Sequence, residues 1–108
     1  MEFVLRVRMS TGDAHYGGNL VDGARIMGLF GDAATALLVY SDGDEGLFLA
    51  YEDVLFKAPV FAGDFLEVIA KIEKIGNTSR TMSFEAYKII AANGAAGDSA
   101  ADKLDPPL

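Results

Sequence analysis

Apolar residues at Phe3, Leu5, Val7 and Met9 alternate with Val4, Arg6 and Arg8. A period of two with a polar second face predicts a strand of antiparallel type. Residues 10–19 break the pattern with three glycines and several small polar residues, which predicts a loop. From about Asn19 the period lengthens. Leu20, Ala24, Met27, Phe30 or Gly31, Ala34 and Leu38 recur at i, i+3 and i+4, and Val21, Ile26, Leu29, Ala33 and Leu37 broaden the stripe. This predicts a helix of roughly five to six turns at ~3.6 residues each, ending before Ser41. Only Asp22, Arg25, Asp32 and Thr35 interrupt it, so most of it is expected to be buried. Gly23, Gly28 and Gly31 each cost up to ~1 kcal/mol against alanine in a helix. Their presence suggests that something packs closely on it.

Three strands are expected after the helix. The first, residues 47–57, is rich in apolar and aromatic residues. A connection over residues 58–64 leads to the second, where Leu66, Val68, Ala70 and Ile72 share a face opposite Glu67, Lys71 and Glu73. Gly76-Asn77 is a tight-turn signal. Beyond it Met82, Phe84 and Ala86 share the inner face of the third. Residues 91–102 are poor in bulky side chains and resemble a flexible loop. The reading is one α+β domain over residues 1–108, with an antiparallel sheet wrapped on one long central helix. The helix has more apolar surface than one small sheet covers, so a homodimer is expected, joined edge to edge.

Composition narrows the chemistry. The 108 residues include no cysteine and one histidine, His15. Disulfides, thiolate zinc sites, a cysteine nucleophile and a multi-histidine metal site within one chain are thereby excluded. The net charge is −7 and the pI near 4.4, which disfavours nucleic acid and anionic membrane as partners. No secretory signal or spanning segment is visible, and a cytoplasmic protein is expected.

Three segments carry a resemblance: Asp13-Ala14-His15-Tyr16-Gly17-Gly18-Asn19-Leu20-Val21 leading into the helix, Phe56-Lys57-Ala58-Pro59-Val60 with Gly63-Asp64, and Gly76-Asn77-Thr78-Ser79. In this order, around this helix, they resemble the hotdog fold of acyl-CoA thioesterases and dehydratases. The run from Asp13 through Gly23-Ala24-Arg25-Ile26 to Gly31-Asp32, continued by Phe48-Leu49, Tyr51, Asp53 and residues 60–65, is similar to the β-aminoacyl-CoA ammonia-lyases of amino-acid fermentation. Hotdog sheets usually have one more strand after the loop beginning near Asn93. Here the chain reaches Pro106-Pro107-Leu108 where that strand would start, so it is expected to be absent or supplied from elsewhere.

The resemblance implies reversible elimination of ammonia from a 3-aminoacyl-CoA such as 3-aminobutyryl-CoA. Coenzyme A would enter only as part of the substrate, with no metal or further cofactor. Such chemistry needs a polarised thioester carbonyl, a base for the α-proton and a place for the β-ammonium. Asp32 interrupts the apolar part of the helix; burial would raise its pKa towards that of a useful base, or it faces outward as an ordinary helix acid. His15 titrates near neutrality and suits proton transfer, or it bonds nearby backbone. Asp13 could orient His15 or hold the ammonium, or it is an Asx-type turn residue. Gly17 and Gly18, just before the expected helix, could offer N–H groups to an enolate-like oxygen, or only let the chain enter the helix. Asn19 could contact the thioester or cap the helix. Asp53 could reach a partner's site from its strand, or it is a solvated strand residue. Ser79, Arg80 and Lys57 are the candidates for coenzyme A, each also readable as a solvated surface residue. The alternatives are a hotdog acyl-CoA thioesterase, with Asp32 or Asp13 activating water or attacking the thioester, and a non-catalytic acyl-CoA-binding domain.

Overall fold

Alternating exposure along Glu2–Arg8 makes strand β1. Its inward residues Phe3, Leu5 and Val7 stand opposite Ala70, Val68 and Leu66 of an antiparallel neighbour, β2 (Phe65–Ile75). The structure is a computed structural model that describes residues 1–14, 16–92 and 101–104. Two short 3-10 turns, Thr11–Asp13 and Gly17–Asn19, follow β1 and precede the single long helix α1 (Gly23–Asp42). Strand β3 (Arg80–Ala92) pairs with β2, and β4 (Ala101–Lys103) pairs with β3. The sheet is antiparallel throughout, in the order β1-β2-β3-β4. Register shifts at Phe65/Leu66 and Ile72/Lys74 bend the β2–β3 ladder, as bulges do, and help the sheet curl over the helix.

The core is one layer between α1 and the sheet. Ile26, Leu29, Ala33 and Leu37 of α1 are buried against Leu66, Val68 and Ala70 of β2, with Met9 and Val21 closing the end. Each fully buried leucine contributes about 1.5–3 kcal/mol relative to exposure. The stripe facing the sheet is therefore Ile26, Leu29, Ala33 and Leu37. Of the other expected stripe, Ala34 is buried as well, whereas Ala24 is exposed, because a single sheet covers only one side of a helix. Phe30 stacks on Phe84 at 5.2 Å, on the flank of the core.

Three expectations need correction. The helix begins at Gly23, with the Asp22 side chain accepting from Arg25 N at 3.1 Å as the cap, rather than near Asn19. Residues 44–58 form no strand; they run back along α1, with Gly46 against Leu38, the Tyr51 hydroxyl donating to the Met27 carbonyl at 3.2 Å, and Phe56 against Gly23. A side chain at position 23 would put its Cβ 2.8 Å from the Phe56 ring, so glycine there permits the close approach. Ala91 and Ala92 end β3, and Ala101–Lys103 is strand. The expected loop is thus strand at both ends, and the strand expected to be absent after it is present as β4, paired with β3; the middle of the loop, residues 93–100, lies outside the described residues, as do 105–108.

One polar knot ties the ends of these elements together. Asp64 is 2% exposed. Its Oδ2 accepts from Phe61 N at 2.8 Å and lies 3.2 Å from Lys88 Nζ. Lys88 also donates to the Pro59 carbonyl at 2.7 Å and sits over the Phe61 ring. The turn so held makes backbone hydrogen bonds to Met9 at the end of β1 and to Asn19 and Val21 before α1. Removing one member of a buried pair leaves the other's charge uncompensated. Lys88→Met is expected to cost ~3–5 kcal/mol, and Asp64→Asn/Lys88→Met less than Lys88→Met alone; urea unfolding midpoints check both.

Candidate active site

The segment entering α1 is organised by short-range polar contacts. The Ser10 backbone N–H and hydroxyl donate to Asp13 Oδ2 at 2.8 and 3.0 Å. On its other side Asp13 Oδ1 accepts from Arg25 Nε at 2.8 Å. Asp13 is therefore committed on both oxygens. The Ser10 N–H in particular, together with the Arg25 guanidinium and the Ser10 hydroxyl, holds its carboxyl below the usual range, against the opposing effect of partial burial. Such a carboxylate is a poor base and a good anchor.

Gly17, Gly18 and Asn19 form the second 3-10 turn, with Gly18 and Asn19 at φ 69° and 62°. Asparagine tolerates this left-handed region better than most residues. The three are exposed and are separated from α1 by Leu20, Val21 and Asp22. Gly17 and Gly18 are thus not the first turn of the helix, and Asp22 rather than Asn19 is its cap. His15 lies outside the described residues.

Asp32 is exposed, not buried. Positions 26, 29, 33 and 37 face the sheet, and 32 falls on the side that the sheet leaves open. Asp53 and Lys57 are exposed on the segment lying along α1, so Asp53 is not on a strand. Ser79 is exposed in the turn before β3, where its carbonyl accepts from Gly76 N at 2.9 Å. Arg80 donates to the Ser79 and Gly76 carbonyls at 2.8 and 3.3 Å and pairs with Asp42 at the far end of α1.

The candidate residues thus fall in two groups. Asp13 and residues 17–19 gather at the N-terminal end of α1, and Phe56, next to Lys57, packs there. Ser79 and Arg80 belong to the other end, where Asp42 lies about 25 Å from Arg25 along the helix at ~1.5 Å per residue. One phosphate cannot be held by Lys57 and Arg80 of the same chain. Two residues of this region carry the resemblance but were not among the candidate site residues. Arg25 pairs with Asp13 across twelve positions, a contact with no local signal. Tyr51 lies among Phe48 and Phe84, and burial pushes its phenol pKa up.

One long helix under a curled antiparallel sheet defines the hotdog class. The chain belongs to the thioesterase superfamily, which it matches over residues 18–89. It is 59% identical over 108 residues, all of this chain and 86% of the relative, to a protein of Acetoanaerobium sticklandii named 3-aminobutyryl-CoA ammonia lyase. It is also similar to the solved structure of the β-alanyl-CoA:ammonia lyase from Clostridium propionicum, with TM-score 0.93 and 47% identity, covering 100% of this chain and 77% of that one. No helix among the described residues is long and apolar enough to cross a membrane.

The lowered Asp13 pKa carries a pH signature. A carboxyl whose folded pKa lies below its ordinary 3.8 contributes stability that is present above that value. The contribution is lost as pH falls through the lower folded value. Asp13→Asn should therefore be less stable than the parent at pH 7, with the difference shrinking as the pH falls below 3.8. Thermal unfolding of both proteins across that range checks it.

Proposed function

We infer that this chain catalyses the reversible elimination of ammonia from a 3-aminoacyl-CoA, giving the enoyl-CoA, in the cytoplasm as a step of amino-acid fermentation. The observation carrying this reading is the 59% identity across the whole chain to a protein named for that reaction, on a fold shared with a second ammonia lyase. The substrate's α-carbon loses a proton to a base, the electron pair moves onto the thioester oxygen as an enolate, and its return forms the C=C bond as the C–N bond breaks. Ammonia leaves with the C–N electron pair and takes up the proton as ammonium. Coenzyme A is carried by the substrate, and no metal or redox group is needed for this balance.

Asp32 is the base in this reading because its carboxylate is open to substrate, although this chain's own sheet does not give it the burial expected to favour the role. It lies on the side of α1 that the sheet does not cover, whereas Asp13 is held by Arg25 and Ser10. His15 keeps its role as the candidate for passing the proton on. The second reading, thioester hydrolysis, is favoured by the superfamily match and is separated by one assay. With crotonyl-CoA and ammonium, loss of enoyl-thioester absorbance without thiol release is expected. Asp32→Asn should slow it by about 10²–10⁴-fold, the usual contribution of a positioned base. Thiol release without amination would replace the lyase reading by the hydrolase one.

A second copy of the chain completes the protein. Leu47, Leu49 and Leu55 are 96%, 98% and 78% exposed on the extended segment beside α1. Large apolar side chains exposed on one segment suit an association surface, and an extended segment outside any ladder can pair with its own copy. Leu49→Lys is expected to shift the protein from dimer towards monomer, read by light scattering.

A further inference from the structure

Arg25 lies in the first turns of α1, and only its Nε is engaged by Asp13. Its side chain runs forward along the helix, so that Nη1 comes to 3.9 Å from where a Cβ on Gly28 would stand. Gly28 and Asp32 are both exposed. Residues 25 and 32 are seven positions apart and share one helix face. A guanidinium and a carboxylate therefore flank a stretch of bare helix backbone, with Gly28 one turn, ~6 Å, from Asp32.

We propose that Arg25 binds the thioester oxygen of the substrate, and that Asp13 is its positioning residue. The proposal rests on the lyase reading and on Asp32 as the base. The enolate formed by α-deprotonation carries its charge on that oxygen. The guanidinium reaches forward to Gly28, one turn from Asp32, so the thioester oxygen can sit beside it with the α-carbon towards the carboxylate. The bare backbone at Gly28 leaves room for the chain of atoms between them. Asp13 grips Nε from one side, and Ser10 grips Asp13, so the fork is fixed before substrate arrives. A donor already aimed where charge develops accelerates the step without reorganising. The assignment also answers how an acidic chain polarises a thioester once Gly17 and Gly18 are removed from the helix terminus.

The test uses the full chain with Arg25→Met, Arg25→Lys, Asp13→Asn and the double variant Asp13→Asn/Arg25→Met. Circular dichroism shows whether each is folded, and Arg25→Lys serves if Arg25→Met is not. Elimination kinetics are measured with 3-aminobutyryl-CoA, with free coenzyme A as inhibitor. Binding of both ligands is followed by calorimetry for the parent and Arg25→Met. Loss of the oxyanion contact should lower kcat by roughly 10²–10³-fold in Arg25→Met, the range for one such donor. Inhibition by free coenzyme A, which lacks the acyl group, should change less than about twofold on the same ground, since the contact is to the acyl oxygen. Asp13→Asn should lose kcat by a smaller factor, and the double variant should be no slower than Arg25→Met. Unchanged kcat in Arg25→Met with an active parent overturns the proposal and leaves the lyase reading standing. A loss confined to KM and matched by weaker inhibition by free coenzyme A also overturns it, since Arg25 would then hold the coenzyme. If the parent shows no elimination, the lyase reading fails. Binding then decides for Arg25: a preference for 3-aminobutyryl-CoA over coenzyme A that Arg25→Met abolishes supports the acyl contact, and an unaltered preference overturns it.

Discussion

The buried contact between Asp64 and Lys88 is the constraint from which the arrangement of this domain follows. An ion pair out of water holds only when further hydrogen bonds satisfy it. Here the Phe61 N–H and the Pro59 carbonyl do so. Because those partners belong to one tight turn, the pair fixes the turn. The turn then hydrogen-bonds to the end of β1 and to the residues entering α1. The loop that carries the candidate chemistry hangs from this turn at one end and from β1 at the other.

From that anchor the orientation of α1 has consequences for the site. Ile26, Leu29, Ala33 and Leu37 fit the sheet, so Arg25, Gly28 and Asp32 face away from it. The Asp13–Arg25 pair bridges loop and helix on this uncovered side. The apolar residues of 44–58 lie along the helix as well, with Leu47 and Leu49 outward. Candidate chemistry and candidate association surface thus both belong to the parts of the chain that its own sheet leaves open.

Much of the fold was legible because it depends on local periodicity. The alternation at Phe3, Leu5 and Val7 and at Leu66, Val68 and Ala70 has one consistent solution, with those faces paired. Lys88 has a signal in the sequence as well: it continues the inner face of Met82, Phe84 and Ala86 at period two, which is a costly place for a lysine without a partner. Residues 47–57 misled because apolar and aromatic richness describes a strand's composition, while a strand also needs a ladder partner. Of the site, the loop residues and Asp32 were legible as residue types. Their burial was not, since it turns on which helix face the sheet covers.

Residue order alone was enough for an α+β fold, a long helix, an antiparallel sheet, the lack of any cysteine thiol and a family resemblance. These rest on composition and on patterns a few residues long. Only the tertiary structure decided that Asp13 is an anchor for Arg25, that Asp32 is exposed, that Arg80 belongs to the opposite end of the helix from Asp13, and that Lys88 holds Asp64. Each of these depends on which residues distant in sequence come within hydrogen-bonding distance. Periodicity along a chain constrains the side on which a residue stands, but not what stands opposite it.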